Sequence, residues 1–275
     1  MPSQVDLHTH TTASDGTVAP EVLLAEAAGI KVRYLAITDH DSTQGYESLM
    51  PLFGKFPEIK ILPAIEINTL DEERSCHILG YLIDPTNAAF QNKLLDYRRR
   101  RLNRIERMLP LFEKMGIAIS LQEIMDATKG GSVGRPHVAD VLKKKGIVRS
   151  RHEAFDRFLK TGAPAYVKPE SPTANEAINI IRQAGGVPVL AHPRYEDSDA
   201  LMKELKAAGL MGIEAYYPEH SRSLTRRYVE LAHDLGLICT GGSDYHGPAS
   251  GRERLAIVDV PETVIEGIYE ARNQL

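Results

Sequence analysis

Cysteine is scarce in this chain: Cys76 and Cys239 are the two present, and no CxxC pair occurs. That excludes a disulfide framework and a thiolate metal cluster, and two separate thiols fit core positions in a reducing compartment. An excess of positive charge is also lacking, since 33 basic residues face 37 acidic ones for a net charge of −4. No overall field draws the protein to nucleic acid or anionic membrane, so any anionic substrate must be met locally. No run approaches 18 apolar residues, and no basic segment with an apolar core opens the chain, so neither membrane span nor export signal is expected. A soluble, cytoplasmic protein is the expectation. Internal repeats and low-complexity tracts are absent.

Histidine and carboxylate are what the chain has, in a particular arrangement. Asp6-Leu7-His8-Thr9-His10-Thr11-Thr12-Ala13-Ser14-Asp15-Gly16 places two histidines and Asp15 just past a short apolar strand through Val5 and Leu7. On extended chain, residues i and i+2 share a side, so His8 and His10 aim at one point. The Thr/Ser/Asp/Gly cluster that follows reads as a loop in which Asp15 folds back over them.

With 275 residues the chain forms either two domains or one large α/β barrel. Pro20–Gly29 has helical spacing with proline near its start and glycine at its end. Tyr34–Ile37 reads as a buried strand running into Thr38-Asp39-His40, followed by a short helix over 43–54 and an extended segment over 59–67. Glu66 lies there among apolar residues, and a buried carboxylate must be paired or hold a metal. A strand over 75–81 carries His77 near its beginning. Later strands over 187–192, 211–217 and 237–241 alternate with helices over 173–184, 201–208 and 223–235. A short strand over 255–260 and a helix over 261–274 follow.

Between these halves, residues 87–165 have long amphipathic helical patterns and no comparable strand, which marks a helical insertion. Its run Arg98-Arg99-Arg100-Arg101 reads as a solvated helix face, with a docking surface for a polyanion as the alternative. Its Gly-rich stretch, Gly130 to His137, is either an interhelix turn or an anion cradle of backbone N–H groups in which Arg135 forks onto a phosphate.

Parallel α/β barrels gather functional groups at the C-terminal ends of their strands. His8/His10, Asp39/His40, Glu66, His192 and Asp244/His246 fall at or just past such ends, with His77 the exception. Recurrence over separate segments points to a polynuclear metal site. Mixed imidazole and carboxylate without thiolate suits manganese, iron or zinc. Such a cluster generates hydroxide near neutral pH and stabilises both oxygens of a phosphoryl displacement, so phosphoester hydrolysis is the chemistry it serves best.

As an ordered set, His8-Thr9-His10, Thr38-Asp39-His40, Glu66, His77, Ala191-His192-Pro193 and Ser243-Asp244-Tyr245-His246 resembles the PHP (polymerase and histidinol phosphatase) superfamily. The resemblance implies an α/β fold, a distorted (β/α)7 TIM-like barrel. Residues 1–86 and 166–275 would form the barrel, and 87–165 a cap or substrate-binding subdomain. It implies two or three divalent ions, manganese first, with iron or zinc as options. His8, His10, Glu66 and Asp244 would hold one ion; Glu66, bridging, with His77 and His192 a second; Asp15, His40 and His246 a third. The insertion with Gly134-Arg135-Pro136-His137, the segment 216–220 and the length look like the stand-alone bacterial phosphoesterases of nucleoside 3′,5′-bisphosphates and short 5′-phosphorylated oligoribonucleotides. The expected partner is thus a small phosphorylated substrate, with no stable duplex binding. By the same analogy Arg135, Lys168 and His220 grip its phosphate or sugar, while Glu66, Asp244 and Arg135 serve attack by a metal-activated hydroxide. The rivals are a histidinol-phosphate phosphatase, an amidohydrolase, which would want a bridging lysine at a strand end, and a non-catalytic PHP accessory module.

Overall fold

Short, continuously apolar runs such as Val187–Leu190 are buried on both faces, as strands between covering helices and a packed interior must be. A computed structural model describes residues 3–71, 74–194 and 199–275. Among them, β1 (Val5–Asp6), β2 (Tyr34–Ile37), β3 (Lys60–Asp71), β4 (Arg74–Tyr81), β5 (Val187–Leu190), β6 (Gly212–Tyr216) and β7 (Ile238–Gly241) form one sheet in chain order. Just past β1 and β7 the sheet curls onto itself: Leu7 N–H donates to Gly241 at 3.2 Å and His10 N–H to Tyr245 at 2.8 Å. The result is the expected distorted barrel.

The barrel is not all parallel. β4 runs antiparallel to both β3 and β5, and the pairing of Asp71 with Arg74 leaves no room for the crossover that a parallel neighbour requires. The start of β4 therefore lies at the rim where the other strands end, which puts His77 among the other strand-end groups.

Helices α1 (Pro20–Gly29), α2 (Gln44–Leu49), α7 (Ala174–Gln183), α8 (Asp199–Ala207), α9 (Arg222–Leu235) and α10 (Thr263–Arg272) belong to the strand-bearing part. α7 shows why: Thr173 and Glu176 close a capping box, a cap of about 1 kcal/mol, and Ala177, Ile178 and Ile181 are buried on one face. The expected helix over 43–54 stops early, because Pro51 has no N–H to continue it and residues Met50–Lys55 tighten into a 3₁₀ turn.

No strand forms over 255–260, contrary to expectation. Ala256 takes a φ of 51°, donates to Asp6 Oδ2 at 2.7 Å and accepts from Ser3 N–H at 3.0 Å. Its backbone groups are engaged one at a time around a turn rather than in a ladder.

The remaining helices are α3 (Ala88–Lys114), α4 (Leu121–Thr128), α5 (Arg135–Lys144) and α6 (Arg151–Ala154), the last continued by a π-helical turn, Phe155–Leu159. Ile105, Phe112, Ile124, Val138, Leu142 and Phe158 pack into a core that contains no strand residue. Each such burial contributes about 1.5–3 kcal/mol. Among the described residues no helix is long and apolar enough to cross a membrane.

Candidate active site

Five imidazoles surround one buried carboxylate. Glu66 Oε2 lies 3.3 Å from His8 Nε2, 3.1 Å from His10 Nε2 and 3.1 Å from His40 Nδ1. Its Oε1 lies 2.7 Å from His77 Nδ1 and 3.1 Å from His192 Nε2. Asp244 Oδ1 stands 3.5 Å from His8 Nε2, 3.3 Å from His10 Nε2 and 3.4 Å from His246 Nδ1. Asp15 Oδ1 stands 3.4 Å from His246 Nε2, and its Oδ2 3.8 Å from His40 Nε2. The structure thus brings together all nine residues singled out as metal ligands. Four groups have ligand atoms within 4.8 Å of one another: His10/Asp15/His40/His246, His8/His192/Asp244, His8/His10/Glu66 and Glu66/His77/His192.

This donor set fits divalent cations. His8 Nε2, His10 Nε2, His40 Nδ1 and Asp244 Oδ1 are buried without a hydrogen-bond partner, a costly state that a shared cation would relieve. Burial alone would push His8 down, yet Glu214, Asp244 and Glu66 raise it well above the usual imidazole value. Burial opposes the rise in His10 too, but Asp244 and Glu66 carry it up to about 10. Without cations, protons compensate the negative charge. Burial drives His40 and His77 down despite Glu66. Glu66, which burial would raise, is held well below the usual carboxylate range by His40, His77 and His8.

The strand-to-loop geometry explains the convergence. His8 and His10 follow β1 in extended register, their ring centroids 5.2 Å apart. The loop after them is tied by Asp39, which accepts from Thr11 N–H at 2.8 Å, Thr11 Oγ1 at 2.7 Å and Ser14 Oγ at 2.6 Å. Asp6 does the same for the other edge, accepting from Ser243 N–H at 2.8 Å and Ser243 Oγ at 2.6 Å. Asp39 and Asp6 are loop anchors. Asp244 takes a φ of 52° and His192 a φ of 27°, strain that the surrounding bonds maintain.

Sequence reasoning missed Glu214. It is fully buried on β6 and lies 2.9 Å from His8 Nδ1, while His192 N–H donates to it at 2.7 Å. Its place among apolar strand residues is the signal that singled out Glu66, and the same argument finds it. Tyr217 and Arg252 were missed as well: Tyr217 donates to Asp244 Oδ2 at 2.9 Å, and Arg252 pairs with the same oxygen. Neither carries a pattern that identifies it in the sequence.

A cavity of about 140 Å³ beside the cluster is lined by Asp15, His40, His77, Arg101, Arg104 and Arg135. Arg135 donates to Leu159 O at 3.0 Å and lies over the Phe155 ring. Burial and the neighbouring Arg135 push Arg104 down to about 9. A second cavity, of about 370 Å³, is bounded by His77, His192, Tyr217, His220 and Arg252. Both His220 ring nitrogens face carbonyl oxygens, of Ala215 at 3.0 Å and Pro193 at 2.9 Å, so the ring is committed to the protein. Lys168 is exposed and outside the lining of both cavities.

Two expectations for the insertion change. In the Gly-rich stretch, Gly131 N–H bonds Thr128 O, Ser132 N–H bonds Ala13 O, and Gly134 N–H bonds His137 Nδ1. Those donors are already taken, which favours the interhelix turn. The arginine run is not one solvated face: Arg99 pairs with Asp96 on the outside, whereas Arg98 donates to Asp41 O at 2.9 Å and Arg101 to Asp41 Oδ2 at 2.5 Å.

Fold and site define a PHP-type phosphoesterase, an enzyme that hydrolyses phosphate esters. The PHP domain model matches residues 6–242, and the chain belongs to that family. It is 34% identical to the 5′-3′ exoribonuclease Rnm of Escherichia coli, covering 98% of this chain and 94% of the relative. It is 32% identical to a 3′,5′-nucleoside bisphosphate phosphatase of Chromobacterium violaceum, covering 90% and 89%. A crystal structure from Bifidobacterium adolescentis, of a protein assigned to the metal-dependent phosphoesterases, aligns with a TM-score of 0.90 at 29% identity over 98% of both chains.

Proposed function

We propose that His8, His10, Asp15, His40, Glu66, His77, His192, Asp244 and His246 hold two or three divalent cations, manganese first, and that the chain hydrolyses phosphate esters of small nucleotides in the cytoplasm. The substrate is a 3′,5′-nucleoside bisphosphate or the 5′ end of a short oligoribonucleotide. The observation that carries this is the convergence of five imidazoles on Glu66, with four ligand atoms buried and unbonded. The names of the two relatives favour these substrates.

Bound cations supply Lewis-acid charge to phosphoryl oxygens and make water acidic enough to give a nucleophile near neutral pH. The protein's own groups do the rest. Glu214 accepts a hydrogen bond from His8 Nδ1–H and so leaves Nε2 as the electron-pair donor atom facing Glu66 and Asp244. His246 Nδ1 is satisfied by the Asp244 carbonyl at 2.8 Å, which presents Nε2 to Asp15. Arg101, Arg104 and Arg135 bring positive charge to one side of the cluster, where they neutralise charge gathering on phosphoryl oxygens. Residues 87–165 act as the cap that delivers those arginines and keeps bulk water from the rim.

The test is a panel of a 3′,5′-bisphosphate, a 5′-phosphorylated trinucleotide, histidinol phosphate and an amide, assayed with Mn²⁺ and after chelation. Release of phosphate or mononucleotide that needs the metal is expected. Metal-replete protein that leaves every phosphate ester intact, or cleaves the amide faster, overturns the reading.

A further inference from the structure

Asp15 differs from most of its partners in the cluster. It comes from a loop rather than a strand end, and among the described residues the imidazole nitrogen nearest its carboxylate is His246 Nε2, at 3.4 Å. Asp39 ties that loop from the barrel side, and the insertion adds a second set of contacts. Ser132 N–H donates to Ala13 O at 2.9 Å, and Arg151 Nη1 donates to Asp15 O at 3.1 Å. Asp15 and the residue two before it are each held by a different part of 87–165.

The details fit a built contact. His137 Nδ1 accepts from Gly134 N–H at 3.0 Å, which fixes the start of α5 just beyond Ser132. Arg151 is forked on Asp140, Nε to Oδ1 at 2.8 Å and Nη2 to Oδ2 at 2.6 Å, which leaves Nη1 aimed at Asp15. A Cβ at Gly131 would lie 2.4 Å from Thr12 O, so glycine alone permits this approach of the two backbones.

We propose that Ser132 and Arg151 are positioning residues: they clamp the Asp15 loop from the insertion and thereby set the affinity of the cation held by His10, Asp15, His40 and His246. This rests on the metal reading above. It adds that the insertion takes part in metal binding without supplying a ligand. By linkage, loading that position steadies the insertion, just as an ordered insertion favours loading.

The test measures Mn²⁺ binding isotherms of the full chain and of Arg151→Met, Arg151→Lys and Asp140→Asn, with hydrogen exchange over 130–159 followed with and without Mn²⁺. Arg151→Met should weaken one ion about tenfold or more, within the range for outer partners of a metal ligand, and leave the others unchanged. Arg151→Lys should recover part of the loss, and Mn²⁺ should slow exchange over 130–159 in the wild type but not in Arg151→Met. If Arg151→Met does not fold, Asp140→Asn, which weakens the fork, carries the same expectation to a smaller degree. All ions weakening in parallel, or an isotherm that superimposes on the wild type, overturns the clamp. A wild-type chain that binds no stoichiometric Mn²⁺ overturns the metal reading itself.

Discussion

The barrel rim and the helical insertion face one another across the site, and they hold their polar groups in opposite ways. At the rim, ligand-type side chains leave strand ends already fixed by ladder bonds, and their free atoms point inward without partners. In the insertion, Arg101, Arg104 and Arg135 come from helices and are steadied by the Asp41 carboxylate and by carbonyls: Arg104 donates to Val167 O at 2.7 Å, Arg135 to Leu159 O at 3.0 Å. The difference separates two tasks. The rim concentrates negative charge and imidazole at one point, as a cation site requires, whereas the insertion supplies positive charge that suits an anionic ester.

Substitutions on either side break or sharpen that division. Glu66→Gln removes the charge shared by five imidazoles, and turnover should fall by more than about 10³-fold together with metal content, beyond the 10- to 100-fold typical of outer partners. Glu214→Gln lies in that outer range: Mn²⁺ affinity should drop about 10- to 100-fold, and catalysis should return at high Mn²⁺. Unchanged Mn²⁺ affinity there would remove Glu214 from any role in orienting His8. On the insertion side, Arg135→Ala should lower kcat/KM about 100-fold while the Mn²⁺ isotherm stays put, at the low end of the 10²- to 10³-fold typical of a lost charge-stabilising donor. If metal binding falls in step, the division of tasks fails.

The smallest effect is on pH. His10 is raised to about 10 without cations, so at neutral pH it carries a proton that a cation must displace. Lower pH favours the proton, and Mn²⁺ affinity should fall as pH falls. Loaded enzyme should lose activity below roughly pH 6, near the unperturbed imidazole value of about 6.5. Full activity at pH 4.5 would contradict this.

Much of the rim was legible in the sequence for a local reason. His8 and His10 are two apart on extended chain, so their common aim follows from strand geometry, and an acidic residue inside Ile65-Glu66-Ile67 needs a compensating charge. The same logic applied to Ile213-Glu214-Ala215 would have found the fourth buried acid facing the histidines. What was not legible depended on partners distant in the chain. Asp39 stands beside His40 at a strand end like the ligand-type residues, yet it anchors Thr11 and Ser14. Lys168 and His220 looked as eligible as Arg135, yet of the three Arg135 lines the cavity beside Asp15 and His40, His220 lines the one beside His192, and Lys168 lines neither.

The order of strands and helices, the histidine-bearing ends and the family were set by apolar patterning and by short motifs, which act over a few residues and can be read directly. The reversal of β4 that brings His77 to the rim, the turn at Ala256 and the contact of the insertion with Ala13 and Asp15 were decided by packing and by long-range hydrogen bonds. Those depend on which surfaces meet once the chain has closed, and no local pattern carries that information.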